Sequence, residues 1–198
     1  KRQAGTSGQT FVDIGSRFTI NNTGQLAFSG SVRAEQLDPR LDGIWTTTSL
    51  IALEGLQAPG TSTGTLFLSN INDPQISQAG DIAFESRLEI GTGDVTSQND
   101  WGVWRNSTLI ARKGQAAPGL GGAVLHGSFS APQTNSSGDL LFSSFFQYGS
   151  GGVTADSDAS LWRNNTLIMR EGSVAPGTIG ALFDRAIWVL FNNSGDVA

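Results

Sequence analysis

The feature that most constrains the fold is a phrase that occurs four times along the chain. It reads NNTGQLAF at 21–28, SQAGDIAF at 77–84, NSSGDLLF at 135–142 and NNSGDVA at 192–198. The glycines Gly24, Gly80, Gly138 and Gly195 lie 56, 58 and 57 residues apart. Two more phrases keep this order and spacing: GVWRNSTLIARKG (102–114) and AAPGL (116–120) each have counterparts in the neighbouring copies. Self-similarity at one period indicates a tandem repeat of about 57 residues.

Alternating hydrophobicity within each copy predicts strands. After the glycine of the first copy, Leu26, Phe28 and Val32 fall on one face and Ala27 and Ser29 on the other. A period of two is typical of a strand with one buried face. The other copies alternate in the same way, and no segment carries the stripe of an amphipathic helix.

Each repeat contains the elements of a four-stranded meander. A polar turn at 106–108 separates two short apolar runs, and a further short strand, such as SRFTI, precedes each NxxG phrase. Pro74 and Pro132 fall in that first strand, and proline favours a sheet edge because it lacks an N–H donor. We therefore predict an all-β fold of tandem four-stranded antiparallel meanders, arranged as β-propeller-like blades or as a linear stack of sheets. The predicted units span 8–62, 63–121, 122–179 and a partial fourth, 180–198.

Aromatic residues recur at matching positions in these units. We expect them to be buried between successive sheets, because a lone sheet with apolar residues on both faces must stack on its copies. The phenylalanines follow each NxxG turn and the tryptophans begin each third phrase: Phe28, Phe84, Phe142, Trp45, Trp104 and Trp162.

Composition excludes several classes of function. The 198 residues carry a net charge of -5, with 38% hydrophobic residues and no cysteine. The chain lacks the basic surface of a nucleic-acid-binding protein. Without cysteine it has neither disulfides nor thiolate metal sites. No apolar run approaches the roughly 20 residues that span a bilayer, so we expect no transmembrane segment.

The titratable residues argue against catalysis. His126 is the only histidine, so neither a histidine-based triad nor a multi-histidine metal site can form. A glycosidase needs two carboxyl groups across a cleft, one with a raised pKa. No glutamate has apolar sequence neighbours that would raise its pKa, and the glutamates are Glu35, Glu54, Glu85, Glu89 and Glu171. We expect no catalytic residue and no cofactor, which makes a secreted hydrolase the least favoured function.

Two recurring polar patterns allow both a functional and a structural interpretation. Asp42, Asp100 and Asp158 precede the third strands and are weak candidates for calcium ligands; capping of a turn is the favoured alternative. Five asparagines head glycosylation sequons, although Asn-rich turns produce such sequons without any glycan. All five are predicted to share one end of the sheets: Asn21, Asn106, Asn135, Asn164 and Asn192.

The loops between second and third strands vary while the surrounding frame repeats. They cover 33–41, 89–100 and 147–158, and should lie at the opposite end of the sheets. Loops on a rigid scaffold often carry binding residues. Candidates for contact with a carbohydrate or a surface protein are Arg40, Gln98, Gln147 and Tyr148. Solvent-facing loops without a ligand fit the same pattern.

The repeated phrases resemble a known family. The pattern NxxGxxAF, followed by G-[IV]-W, LIA and APG, is similar to the tandem NxxGxxAF-repeat proteins of bacteria, whose repeats precede differing C-terminal surface anchors. Asn21, Gly24 and Phe28 fit the pattern, whereas Ser77 replaces the asparagine and Leu141 the alanine of later copies. A weaker similarity connects the same stretch to blades of TolB-like propellers. The resemblance implies a secreted or cell-surface protein and names no reaction.

Together these features predict a non-enzymatic extracellular scaffold or adhesive protein. The alternative is a propeller that binds a carbohydrate or protein through its variable loops. Expected partners are further repeats of the same chain or a second copy. Residues 181–198 should pack on the third unit, and on a further blade or a neighbouring subunit, because they are rich in apolar residues: Phe183, Ile187, Trp188, Leu190 and Phe191. The same demand at Phe11–Ile20 predicts head-to-tail contact.

Overall fold

The chain folds into three four-stranded antiparallel sheets. The computed structural model describes residues 8–35, 38–69, 71–185 and 189–197, apart from the side chains of Ser16, Asn72 and Ala131. The first sheet comprises β1 (Thr10–Ile20), β2 (Leu26–Arg33), β3 (Leu41–Thr46) and β4 (Leu50–Leu53). The second comprises β5 (Asn72–Ile76), β6 (Ile82–Arg87), β7 (Trp101–Arg105) and β8 (Thr108–Arg112). The third comprises β9 (Leu125–Thr134), β10 (Leu140–Phe146), β11 (Ala159–Arg163) and β12 (Thr166–Arg170).

Consecutive strands are neighbours in every sheet, as in an up-and-down meander. The described residues contain no α-helix, and a single 3-10 turn covers Ser150–Gly152. The predicted all-β fold of four-stranded antiparallel units is therefore confirmed. Pro74 and Pro132 lie in β5 and β9, which are edge strands as predicted.

Two of the three first strands are longer than the sequence suggested, whereas β5 has the five residues of the NDPQI segment. The β1 strand has 11 residues and β9 has 10, twice the length of the SRFTI and SAPQT segments. Their pairing with β2 and β10 is interrupted by register shifts, one of them between Ile14 and Phe18. Such bulges break the two-residue alternation from which the strand was predicted.

The NxxG phrase forms a turn that is closed by the side chain of its first residue. Asn21 Oδ1 accepts hydrogen bonds from the N–H groups of Thr23 (3.1 Å) and Gln25 (2.9 Å). Gly24 then has a φ of 80°, a conformation that glycine adopts without steric cost. Asn135 and Asn192 make the same pair of bonds. In the second unit, Ser77 Oγ accepts the bond from Asp81 N–H (3.0 Å). The phrase therefore fixes the register between first and second strands.

Each sheet has an aromatic face. Its second and third strands pair Phe28 with Trp45, Phe84 with Trp104, and Phe142 with Trp162. All six rings are buried. Burial between successive sheets is confirmed for the second and third sheets, whereas Phe28 and Trp45 pack within the first unit. A Cβ atom on Gly43 or Gly102 would approach the ring of Trp45 or Trp104 within 2.8 or 2.6 Å, so each ring lies over a glycine two residues earlier.

The opposite face of the first two sheets is lined with small aliphatic residues. In the first sheet these residues share one buried cluster with Phe84 and Trp104 of the second sheet: Ala27, Ile44 and Ala52. In the second sheet the corresponding residues share a cluster with Phe142 and Trp162 of the third: Ala83, Val103 and Ala111. The aromatic faces of the second and third sheets thus pack on the alanine-lined faces of the sheets before them. The core lies between the sheets, where each large side chain contributes about 1.5–3 kcal/mol on burial.

Hydrogen bonds between neighbouring units run along the NxxG turns and the first strands. Asn22 N–H donates to Gln78 Oε1 (2.9 Å), and Thr19 Oγ1 donates to the carbonyl oxygen of Pro74 (3.0 Å). Arg105 donates to the carbonyl oxygen of Gly138 (2.8 Å). Asn22 and Gln78 are equivalent positions in the repeat, and the bond of Arg105 recurs one unit later between Arg163 and Gly195, so one unit is in register with the next.

The final segment packs on the third unit in the same way. Gln133 Nε2 donates to the carbonyl oxygen of Val189 (2.7 Å), and Ser136 N–H donates to Asn193 Oδ1 (3.0 Å). Arg163 donates to the carbonyl oxygen of Gly195 (3.2 Å). These bonds confirm packing on the third unit for the part of the segment after Val189. Backbone bonds of Phe183 with Gly172 and Ser173 confirm it for the start of the segment, whereas Ile187 and Trp188 lie outside the described residues.

The aromatic face provides the first test of the stack. Replacement of Phe84 by alanine should lower the free energy of unfolding by about 3–5 kcal/mol, because the cavity between two sheets cannot collapse. Urea denaturation measures this loss. Ile90→Ala is the control, because Ile90 is largely exposed and its truncation should change little. Equal effects of the two substitutions would contradict the stacking of the sheets.

The NxxG turn provides a second test. Asn135→Ala removes the acceptor of two backbone hydrogen bonds in a buried turn and should cost about 1–3 kcal/mol. Asn135→Ser should recover part of that loss, because Ser77 makes one such bond in the second unit. Thermal unfolding of the two variants compares them. If serine is no better than alanine, the turn is held by its backbone alone.

Candidate functional site

The two ends of the sheets carry different connections, as predicted. At one end Asn106 Oδ1 accepts from Ile82 N–H (2.8 Å), so the turn between third and fourth strands meets the NxxG turn. At the other end Ser62 Oγ donates to Asp94 Oδ1 (2.6 Å), so the connection after the APG phrase meets the loop between second and third strands. We call the second end the loop end.

The four predicted contact residues lie at the loop end, distributed over three different loops. Arg40, Gln98, Gln147 and Tyr148 are all exposed. Arg40 lies 4.0 Å from Asp13. Within the described part of the chain, no hydrogen bond, ion pair or ring contact joins any two of the four. The structure does not gather them into one site, and their contact with a ligand stays a prediction.

Two arginines, Arg112 buried and Arg170 half-buried, hold two of the variable loops in place. In the second unit, Arg112 Nη1 lies 3.1 Å from both carboxylate oxygens of Asp94, and its Nε donates to the carbonyl oxygen of Asn99 (2.8 Å). In the third unit, Arg170 Nε donates to the carbonyl oxygen of Ser157 (3.0 Å). Neither arginine was predicted from the sequence, because each directly follows the repeated LIA or LIM residues. The sequence feature that could have revealed them is an arginine, in the second and third units, at the position of Leu53 in the first.

The three recurring aspartates have side-chain partners of their own. Asp100 is buried and receives Lys113 Nζ (2.8 Å) and Arg87 Nη2 (3.2 Å). Burial alone would raise its pKa, but these two hydrogen bonds outweigh it and hold the pKa below the usual range. Asp42 accepts from Ser31 Oγ (2.7 Å), and Asp158 lies 3.6 Å from Arg185. In the described ranges, no three histidine, aspartate or glutamate residues are placed to hold a metal ion.

The sequon asparagines all serve the turns in which they lie. Asn21 and Asn135 are buried, and Asn21 Nδ2 donates to the carbonyl oxygen of Ser77 (3.0 Å). Asn106 and Asn164 donate to Asp81 (2.7 Å) and Asp139 (2.8 Å) of the adjacent turn, and Asn192 to Asp196 (2.9 Å). The buried amides of Asn21 and Asn135 have a structural role. Glycosylation of the remaining asparagines stays a prediction.

A cavity of about 500 Å³ opens on the outer face of the third sheet. We call it the tail pocket. Its floor is apolar, and Val189 and Leu190 of the final segment form a wall. The volume lies within the range of about 300–1,000 Å³ that ligand pockets occupy. The floor residues are Leu141, Phe145, Leu161 and Met169, and the polar lining includes Ser130, Gln133 and Arg185.

The floor of the tail pocket departs from the repeat. Leu141 stands where the other sheets have Ala27 and Ala83, and Met169 where they have Ala52 and Ala111. In those sheets the alanines leave room for the rings of the next aromatic face. Leucine and methionine fill part of that room. The outer face of the third sheet is therefore not a plain copy of the faces that stack inside the chain.

Arg185 connects the tail pocket with the loop that carries Tyr148. It lines the pocket, and its guanidinium lies 5.3 Å from the ring centroid of Phe145 and 3.6 Å from Asp158 Oδ1. Interaction with the Asp158 carboxylate raises the pKa of the Tyr148 phenol. An apolar floor with a cation at its mouth suits binding of an apolar group beside a polar one. Neither Tyr148 nor Asp158 lines the pocket, and Arg185 was not predicted from the sequence.

Glu85 corrects the expectation that no glutamate has a raised pKa. It lies on the alanine-lined face of the second sheet opposite Val103, and Trp101 Nε1 donates to its Oε2 (3.2 Å). Burial raises the pKa of Glu85 to about 7; the Trp101 bond lowers it and the charge of Asp73 raises it further. The prediction was wrong because the apolar neighbours come from the adjacent strand and the stacked sheet. Sequence neighbours do not reveal them.

The raised pKa predicts a pH dependence of stability. Between pH 4.5 and about 7 the folded protein keeps a proton on Glu85 that the unfolded chain has lost. The folded state then binds more protons, so its stability falls as pH rises through this window. Glu85→Gln should abolish the fall and leave the variant roughly 1–3 kcal/mol more stable above pH 7. Urea unfolding from pH 4 to 9 measures it, with the exposed Glu89→Gln as control. Parallel pH profiles for wild type and Glu85→Gln would refute the assignment.

Because Asp100 is paired with cationic side chains, we expect that a metal chelator leaves the fold intact. The melting temperature should be unchanged by a chelator, because arginine and lysine already neutralise this carboxylate. Thermal denaturation with and without the chelator measures this. A decrease of more than about 10 °C, equivalent to roughly 3 kcal/mol, would instead make Asp42, Asp100 and Asp158 metal ligands.

Comparison with known proteins identifies the family. The sequence profile of a family of unknown function, DUF7453, matches residues 1–167. The chain therefore belongs to this family. Searches of curated proteins and of solved structures returned no match. In the described ranges, no helix is both long and apolar enough to cross a membrane.

Proposed function

We propose that this protein is a non-enzymatic structural unit of the bacterial cell surface or extracellular space. Its four-stranded units stack as propeller-like blades and form a rigid scaffold for attachment or assembly. Further units of the same chain, or further copies, extend the stack. The variable loops project from it at the loop end.

The observation that carries this proposal is the repeated interface between sheets. Equivalent residues make the same contacts twice: an aromatic face on an alanine-lined face, with hydrogen bonds between equivalent turns. A catalytic site is normally built once, from unique residues that converge on a cleft. Here the residues that make the chain distinctive serve the packing of units, which is the property that a scaffold requires.

The extracellular location is supported by the resemblance of the repeated phrases to the surface-anchored NxxGxxAF proteins. Antibody labelling of intact cells tests it. A surface scaffold should be labelled without permeabilisation, and proteases added to intact cells should remove the signal. Labelling that appears only in permeabilised cells would refute the proposal. A cytoplasmic protein of known location is the control.

Loss of the protein tests the scaffold role. Cells that lack it should attach less to surfaces or to each other, and complementation with the wild-type chain should restore attachment. Complementation with Phe84→Ala should restore it poorly, because this variant weakens the stack. Normal attachment in the deletion strain would contradict a scaffold or adhesive role.

A second candidate function is ligand binding at the third unit. The observation that favours it is the position of Tyr148, 62% exposed on a glycine-rich loop beside Asp158 and Arg185. An exposed aromatic ring next to paired charges suits contact with a carbohydrate or a protein. Binding to cell-wall polysaccharides should weaken at least 10-fold in Tyr148→Ala and be unchanged in Gln98→Ala. Equal binding by both variants would exclude this site.

A further inference from the structure

The third unit replaces the glycine over which the tryptophan ring lies in the other two units. Ser160 stands at the position of Gly43 and Gly102, as the pairing of these residues with the second strands shows. A Cβ atom on Gly102 would lie 2.6 Å from the ring of Trp104. Carbon atoms make favourable contact only at about 3.5–4.0 Å. Because serine carries a Cβ atom, Trp162 cannot adopt the orientation of Trp104.

The indole of Trp162 makes a different hydrogen bond as a result. In the second unit, Trp104 Nε1 donates to the carbonyl oxygen of Pro59 in the preceding connection (2.9 Å). In the third unit, Trp162 Nε1 donates to Ser160 Oγ (2.9 Å) instead. The carbonyl oxygen of Pro118, the counterpart of Pro59, accepts no hydrogen bond within the described part of the chain. An acceptor that holds an indole N–H in one unit is therefore free in the next.

A cavity of about 190 Å³ separates the two groups that touch in the second unit. Both Pro118 and Trp162 line it, and we call it the Trp162 cavity. Leu125 and Phe142 contribute apolar walls, and Gln115 contributes an amide group. The second and third units alone enclose this space, between an alanine-lined face and an aromatic face.

A smaller side chain in the third unit enlarges the space. In the second unit Phe67 packs edge-on against Trp104, with 5.2 Å between the ring centroids. Leu125 takes the position of Phe67 in the third unit, because Gly55 N–H donates to Phe67 and Gly114 N–H donates to Leu125 in equivalent turns. Replacing a core phenylalanine by a smaller residue leaves a void when its surroundings do not collapse.

The connection after the second unit also lies further from the sheet that follows it. Gly60 in the first connection is so close to the second sheet that an added Cβ atom would lie 2.9 Å from Leu109. At Gly119, its counterpart in the next connection, an added Cβ atom would meet nothing within 4 Å. Pro118 is exposed, whereas Pro59 is half-buried. The Trp162 cavity therefore has an opening beside this connection, through which a ligand can enter.

We propose that the Trp162 cavity binds a small planar aromatic group that carries one hydrogen-bond donor, of which indole is the type. The N–H of the ligand donates to the carbonyl oxygen of Pro118, as Trp104 donates to Pro59 in the second unit. The ring packs beside Trp162 and Leu125. An apolar cavity of about 150 Å³ takes a benzene molecule, so this space holds a ligand of one or two rings. It is too small for the ligands that occupy pockets of about 300–1,000 Å³.

This site goes beyond the scaffold role and does not depend on it. Binding is measured on the purified chain and requires neither a surface location nor a second copy. A protein that fails the cell-labelling experiment can still bind the ligand, and a surface scaffold can lack the site. The two proposals therefore fail separately.

Titration of the isotope-labelled protein, followed by nuclear magnetic resonance, tests the site. Indole should bind with a Kd of about 0.1–1 mM, the range expected of so small a ligand. The signals that shift should include the indole N–H of Trp162 and the backbone amides of Gly119 and Leu125. N-methylindole lacks the donor and should bind about 2- to 10-fold more weakly, because the bond to Pro118 is not made.

An indole ring can arrive as a free molecule or as the side chain of a tryptophan in a peptide. N-acetyltryptophanamide distinguishes these sources, because it carries peptide groups on both sides of the ring. Binding at least as tight as that of indole assigns the site to a tryptophan side chain. Weaker binding assigns it to a free aromatic molecule.

Two variants that close the cavity should abolish binding. Ser160→Gly restores the residue of the other two units, so that Trp162 can turn over the glycine and donate to Pro118. Leu125→Phe places the ring of Phe67 in the same space. Each should weaken the binding of indole about 10-fold or more, because the ligand loses the volume and the contacts that held it.

Ser160→Ala is the matched control. Alanine keeps the Cβ atom that blocks the other orientation of Trp162, so this variant should bind indole like the wild type. Circular dichroism should show all three variants folded. The proposal is overturned by a wild type that does not bind indole, or by wild-type affinity in both Ser160→Gly and Leu125→Phe. It is also overturned if Ser160→Ala loses as much affinity as Ser160→Gly, because the hydroxyl and not the space would then account for binding.

Discussion

The packing of an aromatic face on an alanine-lined face is the contact on which the rest of the molecule depends. A four-stranded sheet of this size with apolar residues on both faces exposes too much of its surface to be stable alone. Phe84 and Trp104 bury their rings only because Ala27 and Ala52 of the preceding sheet leave room for them. Because the two faces differ, the stack has a direction. Its ends must therefore differ as well.

The third unit is where the repeat changes. Trp104 Nε1 donates to the carbonyl oxygen of Pro59 in the preceding connection (2.9 Å), whereas Trp162 Nε1 donates to Ser160 of its own strand. The outer face of this unit replaces two alanines by Leu141 and Met169. These changes lie around one pocket and one exposed loop. These departures distinguish the third unit from the first two.

The strands and turns of the repeated unit could be predicted because the patterns that specify them are local and recur along the chain. An NxxG turn is closed by its own asparagine, and alternation along a strand indicates which face is buried. Both features can therefore be predicted from residues that are close in sequence. The raised pKa of Glu85 could not be predicted in this way, because its side chain is buried where β6 pairs with β7 and the second sheet stacks on the third. Arg185 contacts Phe145 and Asp158 across distances that no local pattern encodes. The frame was thus predictable, and the electrostatics of the candidate site were not.

The most direct measurement of the central claim is the stability of Ala27→Leu. This change places in the first sheet the residue that the third sheet has at Leu141, and it fills space that the account assigns to the rings of the second sheet. Overpacking a core in this way costs about 1–3 kcal/mol. If the rings of the second sheet fill this space, urea denaturation should show that loss in the free energy of unfolding. An unchanged or higher stability would contradict it, because the face around Ala27 would then not be filled by the next sheet.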